Sequence, residues 1–141
     1  FNLKSVMWAI TNQNPFKEKT ANNLKKRITI CKKIIGTNKL IKVKYFEDII
    51  NSNKTVDLIN HLSKNKKYDL FFLMGADNLI NFHKWHKWKQ ILKKTNIIVF
   101  DRNGYKKKSL NSKTYKSSTE KQVTFVEFKK VNISSSKLRK I

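Results

Sequence analysis

Residues 74–91 read MGADNLINFHKWHKWKQI, and this stretch decides the fold. It follows the apolar run Leu70–Met74 and packs a glycine, an acid, two histidines and two tryptophans into one junction. Apolar residues recur at Leu79, Phe82, Trp85, Trp88, Ile91 and Leu92, three or four apart. That spacing predicts a buried strand running straight into one amphipathic helix. Leu79, Phe82 and Trp88 would anchor the helix to a core. Gly75, Asp77 and Trp85 could face a ligand instead.

Working outward, the same alternation repeats. Ser5–Ile10, SVMWAI, predicts a buried strand. A polar loop, TNQNPFK, follows and holds the only proline, Pro15. Between Lys19 and Ile35, the residues Ala21, Leu24, Ile28, Cys31, Ile34 and Ile35 form a helical stripe, and Gly36 supplies a stop. Cys31 lies on that stripe and reads as a core thiol. Lys39–Phe46 alternates as a second strand. Thr55 suits the N-cap of a short helix with Leu58, Ile59 and Leu62 inward. Asn96–Phe100 and Val123–Phe128 read as the fourth and fifth strands. ISSSKLRKI, at the end, reads as a strand end, a serine turn and a helix start. Residues 106–121, KKKSLNSKTYKSSTEK, lack periodicity and are expected to form a mobile loop, either a lid or a variable insertion.

Strands alternating with helices predict an α/β fold: a doubly wound parallel sheet in three α/β/α layers, built as one domain over 1–141. In such folds ligands sit beyond the carboxyl ends of the strands.

Composition narrows the function. With 141 residues the chain suits one domain, and 39% apolar content argues against disorder. No apolar run approaches the roughly 20 residues of a membrane-spanning helix, and the first residues do not read as a secretory signal. One cysteine allows no internal disulfide and no cysteine metal cluster, which suits a reducing cytoplasm. The net charge of +23 invites a nucleic-acid reading. Yet the charge is nearly all lysine, with arginine only at Arg27, Arg102 and Arg139. Lysine, asparagine and isoleucine together are what an A/T-rich genome places at permissive sites. A dedicated nucleic-acid surface uses more arginine for bidentate contacts. Three glycines, Gly36, Gly75 and Gly104, exclude a P-loop and a G-x-G-x-x-G turn.

The candidate residues each carry two readings. Gly75 permits close approach of backbone to a ligand, or simply turns the chain. Asp77 accepts from ribose hydroxyls, or caps the helix. Trp85 stacks a flat ring, or packs in the core. His83 and His86, three apart on a helix, lack a third ligand for a metal. His61 reads as a helix-surface residue. Ser134, Ser135 and Ser136, followed by Arg139, form an anion site, or a serine cap with a basic tail. No G-x-S-x-G motif is present.

Together these motifs resemble the bacterial nicotinate-nucleotide adenylyltransferases of the HxGH nucleotidyltransferase superfamily. The resemblance runs from about Val6 to Arg139. MGADNLINFHKWHKWKQI carries it most specifically, supported by NQNPFK, TVDLINHL, VFDRNGY and ISSSKLR, the last similar to the superfamily's ISSTxIR. It implies a Rossmann-like fold and adenylyl transfer from ATP to nicotinate mononucleotide in NAD biosynthesis, with Mg²⁺ on the phosphates. By position, Trp85 would stack on the nicotinate ring. Thr55 and backbone amides near Trp85 and His86 would hold its carboxylate, and Asp77 would bond the ribose. Gly75 would lie against the adenosine side. Ser134, Ser135 and Arg139 would grip the ATP phosphates, with Lys17 adding charge. The family's G-x-F-x-P-x-H loop and H-x-G-H histidines are not in these residues, nor is its last helix. The expectation is therefore a chain incomplete at both ends, weakly active, with unpaired strand edges and marginal stability. The alternatives are a basic nucleic-acid-binding module and a related nucleotidyltransferase with another acceptor, such as phosphopantetheine. The tryptophan helix disfavours the latter, because a flat surface suits a pyridine ring.

Overall fold

A computed structural model describes residues 2–12, 23–102 and 104–127. The chain divides into two compact units, residues 1–61 and 62–141.

In the first unit, β1 (Val6–Ile10) pairs in parallel with β2 (Ile41–Tyr45), from Val6 opposite Ile41 to Ile10 opposite Tyr45. The crossover is helix α1 (Leu24–Ile35). Asn23 caps it by accepting from the Lys26 N–H at 2.8 Å, and Gly36 ends it at φ 52° with its N–H on the Lys32 carbonyl. The left-handed φ explains why glycine serves as the stop. Cys31 is buried as expected, but Ile34 is 67% exposed. β1 is less buried than its composition implied. Met7 and Trp8 are exposed, and only Ile10 is fully covered. Among the described residues β1 has one strand neighbour, and the exposure of the adjacent Met7 and Trp8, which point to opposite faces, shows that neither face is fully covered. A short helix α2 (Glu47–Ile50) follows, then α3 (Thr55–Leu62). Thr55 is the first helical residue and not the cap. The Lys54 carbonyl accepts from the Asp57 and Leu58 amides. Ser52 closes the turn, its Oγ accepting from the Lys54 N–H and donating to Asp57 Oδ2 at 2.6 Å.

The second unit holds a three-stranded parallel sheet in the order β3 (Phe71–Gly75), β4 (Asn96–Phe100), β5 (Val123–Val126). Phe71 faces Asn96 and Gly75 faces Phe100 across β3 and β4. Ile97, Ile98 and Val99 are buried in succession, as a central strand covered on both faces requires. Every strand pairing among the described residues is parallel, and helices connect the strands, so the α/β class holds.

Two expectations fail here. The single helix after β3 is in fact α4 (Ala76–Asn81), a 3-10 turn over Phe82–Lys84, a break at Trp85–Lys87, and α5 (Trp88–Lys94). Periodicity missed the break because Phe82 and Ile91, on either side of it, are both fully buried. The apolar pattern stays in phase across the gap. Residues 106–121, expected to be a loop, contain α6 (Lys106–Leu110) and α7 (Lys113–Lys116), which pack against α4. Their buried face is made of hydroxyls: Ser109, Ser112 and Thr114. Ser109 Oγ donates to the Lys106 carbonyl at 2.7 Å, and Ser112 Oγ accepts from the Tyr115 N–H. Local bonds of this kind let small polar residues be buried where a hydrophobicity pattern shows nothing.

Candidate functional site

The carboxyl ends of β3 and β4 lie side by side. Gly75 closes β3, Asp77 stands in the first turn of α4, and Arg102 follows β4 two residues beyond Phe100, the register partner of Gly75. Arg102 Nη1 donates to Asp77 Oδ2 at 2.7 Å. The other carboxylate oxygen, Oδ1, is shielded from solvent and has no hydrogen-bond partner among the described residues. It sits against Gly75. A Cβ added there would collide with Asp77 Oδ1 and come within 3.3 Å of Arg102 Cδ. Gly75 has φ −80° and ψ 155°, which any residue adopts. Glycine is needed for room, and the room is taken by the Asp77 carboxylate. Asp77 is therefore not a helix cap: α4 has no side-chain cap, and its cap position is Gly75 itself.

Trp85 lies at the break between α4 and α5. It is extended, at φ −73° and ψ 145°, and half-buried. Its ring meets Phe82 at 5.1 Å and Phe72 at 6.0 Å between centroids. Lys87, next in the break, holds the left-handed conformation at φ 50°, uncommon for a residue with a side chain. The Trp85 N–H already donates to the Phe82 carbonyl at 2.9 Å. His86 is exposed, and His83 is half-buried with a shielded Nδ1 that has no partner among the described residues. The break removes the helical relation that would have paired the two imidazoles. Trp88, expected in the core, is half-buried with Lys89 Nζ 5.8 Å from its ring. Among the described residues, no three His, Cys, Asp or Glu side chains gather as a metal site.

In the first unit, the start of the TNQNPFK loop is tied down. Arg27 Nη2, from α1, donates to the carbonyls of Thr11 and Asn12 at 2.8 and 2.7 Å. Glu47 Oε1 accepts from the Asn12 N–H at 3.0 Å, and Glu47 Oε2 from the Tyr45 hydroxyl. Thr55 belongs to this unit and is half-buried. Lys17, Ser134, Ser135 and Arg139 lie outside the described residues.

The sequence reading missed Arg102, Arg27 and Glu47. A signal existed for two of them. In a chain that uses lysine almost everywhere, arginine stands at only three positions. Both arginines described by the structure make bonds that suit a planar fork, one to a carboxylate and one to a pair of carbonyls.

In a parallel α/β sheet, polar residues gathered past the strand ends stand where such folds bind their ligands. A cytidylyltransferase-like family model matches residues 1–141, and the chain belongs to that family. Among its relatives, a probable nicotinate-nucleotide adenylyltransferase of Pelagibacter ubique is 61% identical over 139 residues, covering 99% of this chain and 77% of that protein. Proteins of the same printed name from Agrobacterium fabrum and Bradyrhizobium sp. are 34% and 31% identical, covering 72% and 78% of this chain but only 55% and 58% of theirs. The resemblance read from the motifs is thus shown. Among the described residues no helix is long and apolar enough to cross a membrane.

Proposed function

We propose that the protein transfers the adenylyl group of ATP to nicotinate mononucleotide, giving nicotinate adenine dinucleotide and pyrophosphate. The observation that carries this reading is 61% identity, over nearly the whole chain, to a protein named for that reaction. The strand-end geometry supports it, because Gly75, Asp77 and Arg102 meet where such folds bind nucleotides.

A 5′-phosphate oxygen of the mononucleotide attacks the α-phosphorus of ATP. The bond from that phosphorus to the β-bridging oxygen breaks, and its electrons leave with pyrophosphate. Such chemistry asks the protein for alignment and charge neutralisation and not for a nucleophile. Mg²⁺ enters as part of the substrate, carried on the ATP phosphates. Asp77 accepts from the mononucleotide's ribose, and Trp85 stacks on the pyridine ring with its back against Phe72 and Phe82. Gly75 lies on the adenosine side. Backbone amides near His86 serve recognition of the acid, and Ser134, Ser135 and Arg139 serve the ATP phosphates. The +23 charge draws in anionic nucleotides. The setting is the cytoplasm.

The test is pyrophosphate release from MgATP with a panel of acceptors: nicotinate mononucleotide, nicotinamide mononucleotide and phosphopantetheine. Release with nicotinate mononucleotide well above the others supports the assignment. Release driven by another acceptor overturns it.

A further inference from the structure

We infer that Arg102 is a positioning residue for Asp77, fixing the carboxylate that receives the nucleotide's ribose. The inference rests on the adenylyltransferase reading above and adds a residue to it.

Three observations converge. First, the pair is charge-assisted and short: Arg102 Nη1 donates to Asp77 Oδ2 at 2.7 Å. It joins the segment after β3 to the segment after β4, two neighbouring strands whose carboxyl ends are in register at Gly75 and Phe100. Second, Gly75 leaves room for the carboxylate in this orientation. Asp77 Oδ1 rests against Gly75, in space that a Cβ would fill. The bond that fixes the carboxylate in that space is the one from Arg102. Third, the pair is not a core strut. The Arg102 side chain is 38% exposed and that of Asp77 is 25% exposed. An ion pair that is only part-buried contributes modestly to stability. Its geometry is better accounted for by what it presents to solvent and ligand.

An ionised carboxylate has about four acceptor positions. The bond from Arg102 uses one of them, on Oδ2, and Oδ1 has no donor among the described residues. With Oδ1 shielded from solvent, the capacity left for a ribose hydroxyl is the second position on Oδ2. Without Arg102 the carboxylate can swing away from the strand ends, and each binding event must first recover the right orientation. That loss falls on mononucleotide binding and leaves the phosphate chemistry alone.

The experiment measures nicotinate mononucleotide affinity by calorimetry, with ATP affinity and the thermal midpoint as controls. The variants are Arg102→Gln, Arg102→Lys, Asp77→Asn and the Asp77→Asn/Arg102→Gln double. Arg102→Gln is expected to weaken mononucleotide binding about 10-fold, the scale of one charge-assisted bond. ATP affinity and the thermal midpoint should stay near their original values. Arg102→Lys, which keeps a donor, should recover part of the loss. The double variant should bind no worse than Asp77→Asn alone, because a positioning residue has nothing left to position. In turnover, KM for the mononucleotide should rise while kcat holds. Unchanged affinity in Arg102→Gln overturns the inference, and so do losses that add in the double variant. A collapse of the thermal midpoint in both Arg102 variants overturns it as well, since it marks a structural strut. If the unsubstituted protein binds another mononucleotide and not the nicotinate form, the functional reading itself fails, whatever Arg102 does.

Discussion

Trp85 stands edge-on to Phe72, with ring centroids 6.0 Å apart and planes at 69°. Phe72 belongs to β3, so the strand that ends in Gly75 also braces the tryptophan beyond it. Phe82, fully buried, supports the same ring from the 3-10 turn at 5.1 Å. Two phenylalanines thus pack against the half-buried tryptophan.

Trp85→Ala should weaken nicotinate mononucleotide binding by about 1–3 kcal/mol, the usual worth of an aromatic stacking contact with a base. Trp88→Phe serves as the comparison and should change binding little. Calorimetric titration of both variants checks this. Equal losses in the two would remove Trp85 from its assigned place.

Gly75→Ala should displace the Asp77 carboxylate, because the new methyl group meets Oδ1 and approaches Arg102 Cδ. Both atoms met belong to side chains that can turn away, so stability should fall little, and chemical denaturation checks this. Mononucleotide binding should still fall, as the Asp77–Arg102 pair is lost.

Thr114→Val should stabilise the second unit. Thr114 is fully buried, and its Oγ1 has no hydrogen-bond partner among the described residues. A buried hydroxyl without a partner costs about 1–3 kcal/mol, and valine has nearly the same shape. A higher denaturation midpoint in Thr114→Val is the expected result. A clear loss would mean that the hydroxyl is satisfied.

Cys31 should react slowly with thiol reagents in the folded protein. Burial pushes its thiol up, outweighing the opposing pull of the Arg27 charge. Thiolate is the reactive form, so little is present at neutral pH. The same shift links to stability. Below the ordinary thiol value both states hold the proton and the contribution is intact. As pH rises from there through the folded value, the unfolded chain loses its proton first and stability declines. Labelling with a chromogenic disulfide, before and after unfolding, measures the difference in rate.

How much of this was legible in the sequence differs by element. The strands were visible as short apolar runs, and Gly36 was correctly placed as a stop because a left-handed terminus demands glycine. Gly75, Asp77 and Trp85 were singled out, and the structure puts the first two in contact. What stayed hidden was the geometry between them. Nothing local in Arg102 reveals that it meets Asp77, 25 positions away. The break at Trp85–Lys87 was invisible because apolar spacing records only which side chains point inward. The helices α6 and α7 were invisible for the opposite reason: their buried residues are serine and threonine, which a hydrophobic pattern does not count.

The most direct measurement is a titration with nicotinate mononucleotide and, separately, its nicotinamide analogue, following tryptophan emission. The expected result is saturable quenching, tighter with the nicotinate form, that disappears in Trp85→Phe and survives in Trp88→Phe. Equal affinity for the two ligands, or quenching that persists without Trp85, would contradict an acid-selective pocket built on that residue.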